Sequence, residues 1–343
     1  MSQSNPSSGW ARFAARFLGV ILWIYLVLSL DMTKVTVLLE RVEWAWIFLA
    51  VLSVSATIAL KASRWNMFLG NVGAKLKYPE ALGTVISSVF WASVTPGRIG
   101  ELYRFKPFVG NSDRLLRAFA SVVLDRMYDV VLLVAWSSVG LLYFWNLLPG
   151  RTSVFYAASL LLAGAGVFVI LIMWERIAPL IEAASIKLLP RSIIPAGGFR
   201  LLTFREYLLA AFKGHRVLAF SMSLLALMIS FVGIFWVGLA LGVHVPFLYL
   251  SVTYTIAALV SLVPISFGGL GTREAVFIYY LGNINVSAES ALLLSFTVTV
   301  AYNILLPALF SLLFSAVVRL TTHSPSVSTG SESGEIADDS ENE

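Results

Sequence analysis

Two short stretches of this 343-residue chain combine helix-breaking residues with charge. The first reads Thr95-Pro96-Gly97-Arg98-Ile99-Gly100-Glu101 and the second Pro264-Ile265-Ser266-Phe267-Gly268-Gly269-Leu270-Gly271-Thr272-Arg273-Glu274. Each places a proline before a Gly-x-x-Gly stretch, ends on a glutamate, and carries an arginine within or beside it. Proline and glycine at Pro96, Gly97, Gly100, Pro264, Gly268, Gly269 and Gly271 break a helix, leaving free backbone N–H groups where the next one starts. Those groups and the helix dipole make a seat for an anion. Arg98 and Arg273 could clamp a phosphate bidentately, with Glu101 and Glu274 neutralising them while the seat is empty. The competing reading is an Arg–Glu pair that only staples a broken helix.

The two stretches share their surroundings. Seventeen residues beyond each glutamate an alanine opens a long apolar run, Ala118 after Glu101 and Ala291 after Glu274. Equal spacing in two halves indicates an internal repeat, and short segments interrupted by Gly and Pro at matching places point to a transporter's substrate site. A second charged group, Asp125-Arg126-Met127-Tyr128-Asp129, lies inside an apolar run. Asp125 and Asp129 share a helix face at i,i+4, and Arg126 reaches Asp129 at i,i+3. Such groups must face protein or a water-filled cavity: they form either an ion pair locking helices together or part of a site, with a proton-coupling carboxylate as a further option. Arg64, in Lys61-Ala-Ser-Arg64-Trp65, falls near the end of another run, where snorkelling beside an aromatic belt competes with a substrate role.

Other chemistry has little to work with. The chain has no cysteine and three scattered histidines, His215, His244 and His323, so neither a thiol nucleophile nor a metal centre is expected, and no cofactor. Gly268-Gly269-Leu270-Gly271 lacks the Lys-Ser/Thr of a phosphate-binding loop and the strand that precedes a dinucleotide fingerprint.

The elements that must position these residues are apolar. Hydrophobic residues make up 58% of the chain and charged ones 13%, with a mean hydropathy of +0.84, far from a soluble domain. Six runs read as membrane spans, at about 13–31, 44–62, 119–144, 153–174, 217–241 and 290–318. The run before Asp31 ends without a small-x-small cleavage site and reads as an uncleaved first helix. Two shorter runs, 81–95 and 249–263, stop at a proline. If 81–95 crossed fully, Arg98, Arg104, Lys106, Arg114 and Arg117 would fall outside, against the positive-inside rule. If it enters and returns, every basic loop is cytoplasmic. The expected fold is therefore an all-α integral membrane protein of about six transmembrane helices plus two re-entrant segments in an inverted repeat, with both termini cytoplasmic. Residues 1–320 form the membrane domain, its halves at about 10–145 and 216–320, joined by a cytoplasmic linker at about 175–216. Residues 321–343, carrying six acids and no Lys or Arg, read as a disordered tail. Without those six negative charges the net +5 becomes +11 on the membrane body. Spread among loops, that excess suits anionic lipid heads rather than nucleic acid.

Arg64-Trp65, Ser88-x₄-Ser93-x₂-Pro96-Gly97-Arg98-x-Gly100-Glu101, Ser121-x₃-Asp125-Arg126-x₂-Asp129 and Ser266-x-Gly268-Gly269-x-Gly271-x-Arg273-Glu274 together resemble the flippase-like membrane domain of lysylphosphatidylglycerol synthases, over roughly residues 10–320. The chain resembles a stand-alone member without the synthase domain. The resemblance implies an inner-membrane protein, not an enzyme, that moves an anionic phospholipid or polyprenyl-phosphate lipid between leaflets. Arg98, Glu101, Arg273, Glu274, Arg126, Asp125, Asp129 and Arg64 are the candidate headgroup residues. The alternatives are a membrane-embedded transferase acting on lipid-linked head groups, with Asp125, Asp129 or Glu101 as base, and a non-catalytic partner of a lipid-modifying enzyme. Two positions depart from the family pattern. Ala92-Ser93-Val94-Thr95 stands where members often have Asn-x-x-Leu, and the arginine that members often carry opposite Arg126 falls here near Thr299.

Overall fold

In a computed structural model, residues 24–26, 28, 31–95, 99–143, 201–262 and 269–322 are described. Every regular element among them is helical: α1 (Met32–Glu40), α2 (Trp44–Asn71), α3 (Tyr78–Val94), a run of 3₁₀ turns (Ile99–Phe108), α4 (Ser112–Tyr143), α5 (Leu201–Lys213), α6 (Arg216–Ala240), α7 (Phe247–Val260), α8 (Thr272–Gly282), α9 (Ala288–Thr297), a π-helical stretch (Val298–Leu305) and α10 (Leu306–Thr322).

The helices outrun the apolar runs that announce them. α2 continues past residue 62 and carries Lys61 and Arg64 as helical residues, and α4 begins at Ser112. The run 290–318 is helical but not uniform: π turns precede Pro307. A proline has no N–H to return to residue 303 and crowds that carbonyl, so the backbone widens just before it. The expected spans at 13–31 (apart from residues 24–26 and 28) and 153–174, and the expected tail from residue 323, lie outside the described residues. So do Pro96, Gly97, Arg98, Pro264 and Gly268.

α2 and α6 are long and apolar enough to cross a membrane, and only 33% of the most apolar window of each is buried. Phe48 and Leu52 on α2, Leu224 and Leu225 on α6, Val131 and Val139 on α4, and Leu312 and Leu313 on α10 face outward, while Arg64, Arg104, Asp125 and Glu274 are buried. Apolar surface outside and charge inside reverses the arrangement of a water-soluble domain.

Packing follows the two halves. α2 lies along α6 at the centre. α2 contacts α3 as α6 contacts α7; α3 contacts the 3₁₀ run as α7 contacts α8; α3 meets α10 as α7 meets α4. The turns leaving α2 and α6 match as well. Gly73 (φ +69°) and Gly242 (φ +67°) take the left-handed conformation, and the next N–H bonds back over the helix end, Ala74 to Leu69 at 2.8 Å and Val243 to Gly238 at 2.9 Å. Each half has its own core, and each core is completed by the short helix preceding the other half. Phe204, Leu208 and Ala211 of α5 enter the first core, and Val35 and Leu38 of α1 pack on the second.

Candidate functional site

The carboxylate of Asp125, on α4, is the centre of the charged cluster. Arg64 of α2 donates from Nε to Oδ1 at 2.7 Å, and Arg104 of the 3₁₀ run donates from Nη1 to Oδ2 at 2.6 Å. Arg64 is 1% exposed, and Arg104 and Asp125 are fully buried. The remaining guanidinium donors are largely used: Arg64 Nη1 reaches Ser223 of α6 at 2.6 Å, and Arg104 Nε reaches Ser88 of α3 at 3.1 Å. Arg104 also lies over the Trp65 ring, 5.3 Å from its centroid, and Trp65 Nε1 donates to Ser121 at 3.1 Å. A buried ion pair holds only when its geometry is good and its other donors are satisfied; five elements converge here, and of these guanidinium nitrogens Arg104 Nη2 has no hydrogen-bond partner among the described residues.

Two expectations are corrected by this arrangement. Arg64 does not snorkel and Trp65 is not a belt residue, because α2 runs nine residues beyond its apolar stretch and turns both side chains inward. Arg104, counted among the basic loop residues, is a core member of the cluster. The 3₁₀ run folds back against α3, with Gly100 pressed on the backbone of Trp91 and its N–H donating to Thr95 Oγ1 at 2.7 Å, and this carries Arg104 inward.

A more open layer lies one helical turn along α4. Asp129 accepts from Arg64 Nη2 at 2.8 Å and from Lys61 Nζ at 3.0 Å. Arg126 reaches Asp129 at 3.3 Å, the expected i,i+3 pair, and its Nε lies 2.8 Å from Glu101 Oε2. Glu101 thus serves Arg126, 25 residues away; the expected partner Arg98 is outside the described residues.

The residues around Glu274 form a comparable arrangement with different chemistry. Glu274, in the first turn of α8, accepts from the Gly271 N–H at 2.6 Å, capping its own helix. Gly269 (φ +87°) and Gly271 (φ +84°) shape this break, and a Cβ on Gly269 would collide with Ser261. Ser295 and Thr299 each donate to Glu274 Oε1 at 3.4 Å. Thr299 is 25 residues beyond Glu274, as Arg126 is beyond Glu101, so a hydroxyl takes the place of the arginine. Arg273 does not bond to its neighbour Glu274, contrary to expectation. Its Nη1 donates to Thr299 at 3.3 Å, and its Nε has no hydrogen-bond partner among the described residues although the residue is 6% exposed.

Residues from both sets line one cavity of about 370 Å³, within the range of small-molecule sites. Lys61, Arg126 and Arg273 line it with Glu101 and Asp129, an excess of one positive charge among its described ionisable groups. Ser88, Ser93, Ser223, Ser230, Ser261 and Thr299 add hydroxyls, and Val54, Ile58, Leu133, Leu227 and Leu262 make an apolar wall. Arg64, Arg104 and Asp125 do not line it; they support the residues that do. Arg104 and the serines escaped sequence reasoning as site residues. Only Ser88 and Ser93, quoted within the first motif, carried a signal. The described residues hold no group of His, Cys, Asp and Glu suited to a metal ion.

An apolar exterior around a charged internal cavity defines an integral membrane protein. The chain belongs to the family described as the lysylphosphatidylglycerol synthase TM region, whose profile matches residues 13–320. It is 25% identical over 248 residues to a UPF0104 membrane protein of Methanothermobacter thermautotrophicus, covering 66% of this chain and 70% of that protein. It is 26% identical over 136 residues to a UPF0104 membrane protein of Pyrococcus horikoshii, covering 37% of this chain and 41% of that protein, so this second match spans less than half of the relative's own length.

Proposed function

We propose that the protein is a flippase-like transporter that moves a phospholipid or polyprenyl-phosphate-type lipid between leaflets, with the headgroup held in the cavity between the two halves. The cavity's composition carries this reading. Three cations and two carboxylates share the lining with Val, Ile and Leu side chains. An anionic headgroup joined to acyl chains combines the same two kinds of surface. In a medium of low dielectric, a surplus positive charge attracts an anion strongly.

The exchange of contacts between halves supports an inverted repeat with two re-entrant hairpins at α3–3₁₀ and α7–α8, and the charge bias of the loops supports six spans with both termini cytoplasmic. In that topology the cavity sits at the repeat interface and near the broken helices, where alternating access needs it. The family membership is in keeping with a lipid-related role.

The test is leaflet movement of a labelled anionic phospholipid in liposomes, comparing wild type with Arg273→Gln and Arg126→Gln. Wild-type transport that falls at least tenfold in either variant, with folding retained, supports the assignment. No movement by wild type across a panel of anionic lipids refutes it.

A further inference from the structure

We infer that Glu274 is a coupling-proton site: it takes up one proton when an anionic headgroup engages Arg273, so that lipid and proton move together. This rests on the lipid-transport reading and adds the ion that drives it. The interior carboxylates differ in their partners. Asp125 is held by Arg64 and Arg104, Asp129 by Lys61 and Arg64, and Glu101 by Arg126, each within 3.0 Å. Glu274 is fully buried, yet it forms no ion pair among the described residues; it accepts from the Gly271 N–H and from the hydroxyls of Ser295 and Thr299. Guanidinium and ammonium groups only donate, so a carboxylate they hold stays ionised. A hydroxyl donates or accepts. Ser295 and Thr299, one turn apart, both meet Oε1 of Glu274, and either can turn to accept from it once it is protonated. The arginine that stands 25 residues beyond Glu101 locks that carboxylate; the threonine at the matching distance from Glu274 serves both protonation states.

The charges around Glu274 are few. Its own helix, α8, carries Arg273 beside it and Tyr279 and Tyr280 further along. α7 brings Tyr249 and Tyr254 as its titratable groups, and the π-helical stretch brings Tyr302. α9 brings Glu289, in its first turn and paired with Lys34 of α1. Arg273 is thus the cation that these elements supply. It does not touch the carboxylate: its Nη1 donates to Thr299 Oγ1 at 3.3 Å, and Thr299 donates to Glu274 Oε1 at 3.4 Å. Arg273 and Thr299 line the cavity and Glu274 lies behind them, so the threonine hydroxyl joins the two. An anion on Arg273 cancels the field that favours an ionised Glu274 and adds a negative charge of its own. Both effects are large in a low-dielectric interior. A hydronium ion in the cavity water then gives its proton to Oε1 and is left as water, and the new O–H donates to Ser295 or Thr299. A singly charged headgroup and one proton add no net charge to the interior, where charge is costly. A sodium ion on the same oxygens would stand against Arg273, which already donates to Thr299, so the proton is the better fit.

The experiment titrates phosphatidylglycerol, whose one phosphodiester charge stays fixed, into the full chain in neutral detergent. Calorimetry in buffers of different ionisation heat, between about pH 5 and about pH 8, counts the protons exchanged. Wild type should take up close to one proton per lipid within this range. The bound state holds the extra proton, so affinity should rise as pH falls, by up to about tenfold per unit. Glu274→Gln, which has the shape of the protonated acid, should bind with no uptake and with one affinity throughout. In liposomes a pH gradient should skew the leaflet distribution of labelled lipid several-fold in wild type and leave it even in Glu274→Gln. Lipid binding without proton uptake overturns this inference and leaves the lipid reading standing. No binding of the lipid at any pH overturns the reading beneath it, and the coupling with it. Uptake that persists in Glu274→Gln removes Glu274 from the assignment, and affinity that follows sodium at fixed pH overturns the choice of ion. Should Glu274→Gln not fold, infrared difference spectra of wild type carry the test: lipid should raise a protonated carboxyl C=O band, and its absence overturns the inference.

Discussion

Arg64 and Asp125 meet across two helices with Nε 2.7 Å from Oδ1, a bond between two side chains at most 1% exposed to the surroundings. Neither lines the cavity, yet Arg64 also holds Asp129, which does. Asp125→Ala leaves Arg64 and Arg104 facing each other without the carboxylate they share. Removing one partner of a buried pair typically costs about 3–5 kcal/mol, so the variant should show a large drop in melting temperature in detergent. Asp129→Asn, at a side chain 15% exposed and open to the cavity, should lose clearly less. Equal, small losses would show that the Asp125 cluster does not hold the helices together.

Glu101 and Arg126 form the pair that an incoming anion would compete with, since both line the cavity at 26% and 14% side-chain exposure for the arginine and glutamate. Glu101→Gln removes the internal competitor and should raise retention of anionic lipid several-fold, whereas Arg126→Gln should lower it. A double-mutant cycle on lipid retention should give a coupling of about 0.5–3 kcal/mol. Changes in the same direction for both single variants would argue that the pair is a structural staple.

The parts of this site that were legible in the sequence are those set by local spacing. Asp125 and Asp129 share a face because four residues make about one helical turn, and Arg126 reaches Asp129 for the same reason. The broken segments were visible because Pro and Gly act on their own backbone. What was hidden depends on tertiary direction. Nothing near Arg104 distinguishes it from Lys106 or Arg114; it becomes buried only because the 3₁₀ run turns back on α3. The partner of Glu101 lies 25 residues on, beyond any local rule, and Trp65 reads as a belt residue until α2 is seen to continue inward past it. The crossing of α1 and α5 into opposite cores had no sequence signal, because an amphipathic helix does not state which apolar surface it covers.

Asp113, in the first turn of α4, accepts from the Tyr207 hydroxyl of α5 at 2.5 Å and from Arg117 Nε at 2.8 Å. The tyrosine hydrogen bond, with Arg117 adding to it, holds the Asp113 carboxyl below its ordinary value. A carboxylate depressed in the folded state contributes stability above its unfolded pKa, about 4, and loses it as pH falls through the folded value. The melting temperature should therefore be insensitive to this group at neutral pH and decline in acid. Asp113→Asn should flatten that decline, by a small amount because the side chain is 54% exposed. An identical acid limb in the variant would exclude the α4–α5 joint as its source.

Gly100 sets how closely the 3₁₀ run can return along α3. A Cβ there would overlap the backbone carbonyl of Trp91 and the N–H of Ala92, neither of which can swing aside as a side chain could. Gly100→Ala must push the 3₁₀ run away from α3, and overpacking of this kind costs about 1–3 kcal/mol. The displacement has a directional consequence: it moves Glu101 and Arg104 away from Arg126 and Asp125, the partners they hold on α4. The variant should therefore lose both melting temperature and preference for anionic lipid. Gly110→Ala, at a glycine with open space around it, should lose stability alone, because its φ of +95° penalises a side chain without moving the cluster. If Gly100→Ala kept full lipid preference while losing stability, the close return would be a folding requirement and not the means by which the charged cavity is assembled.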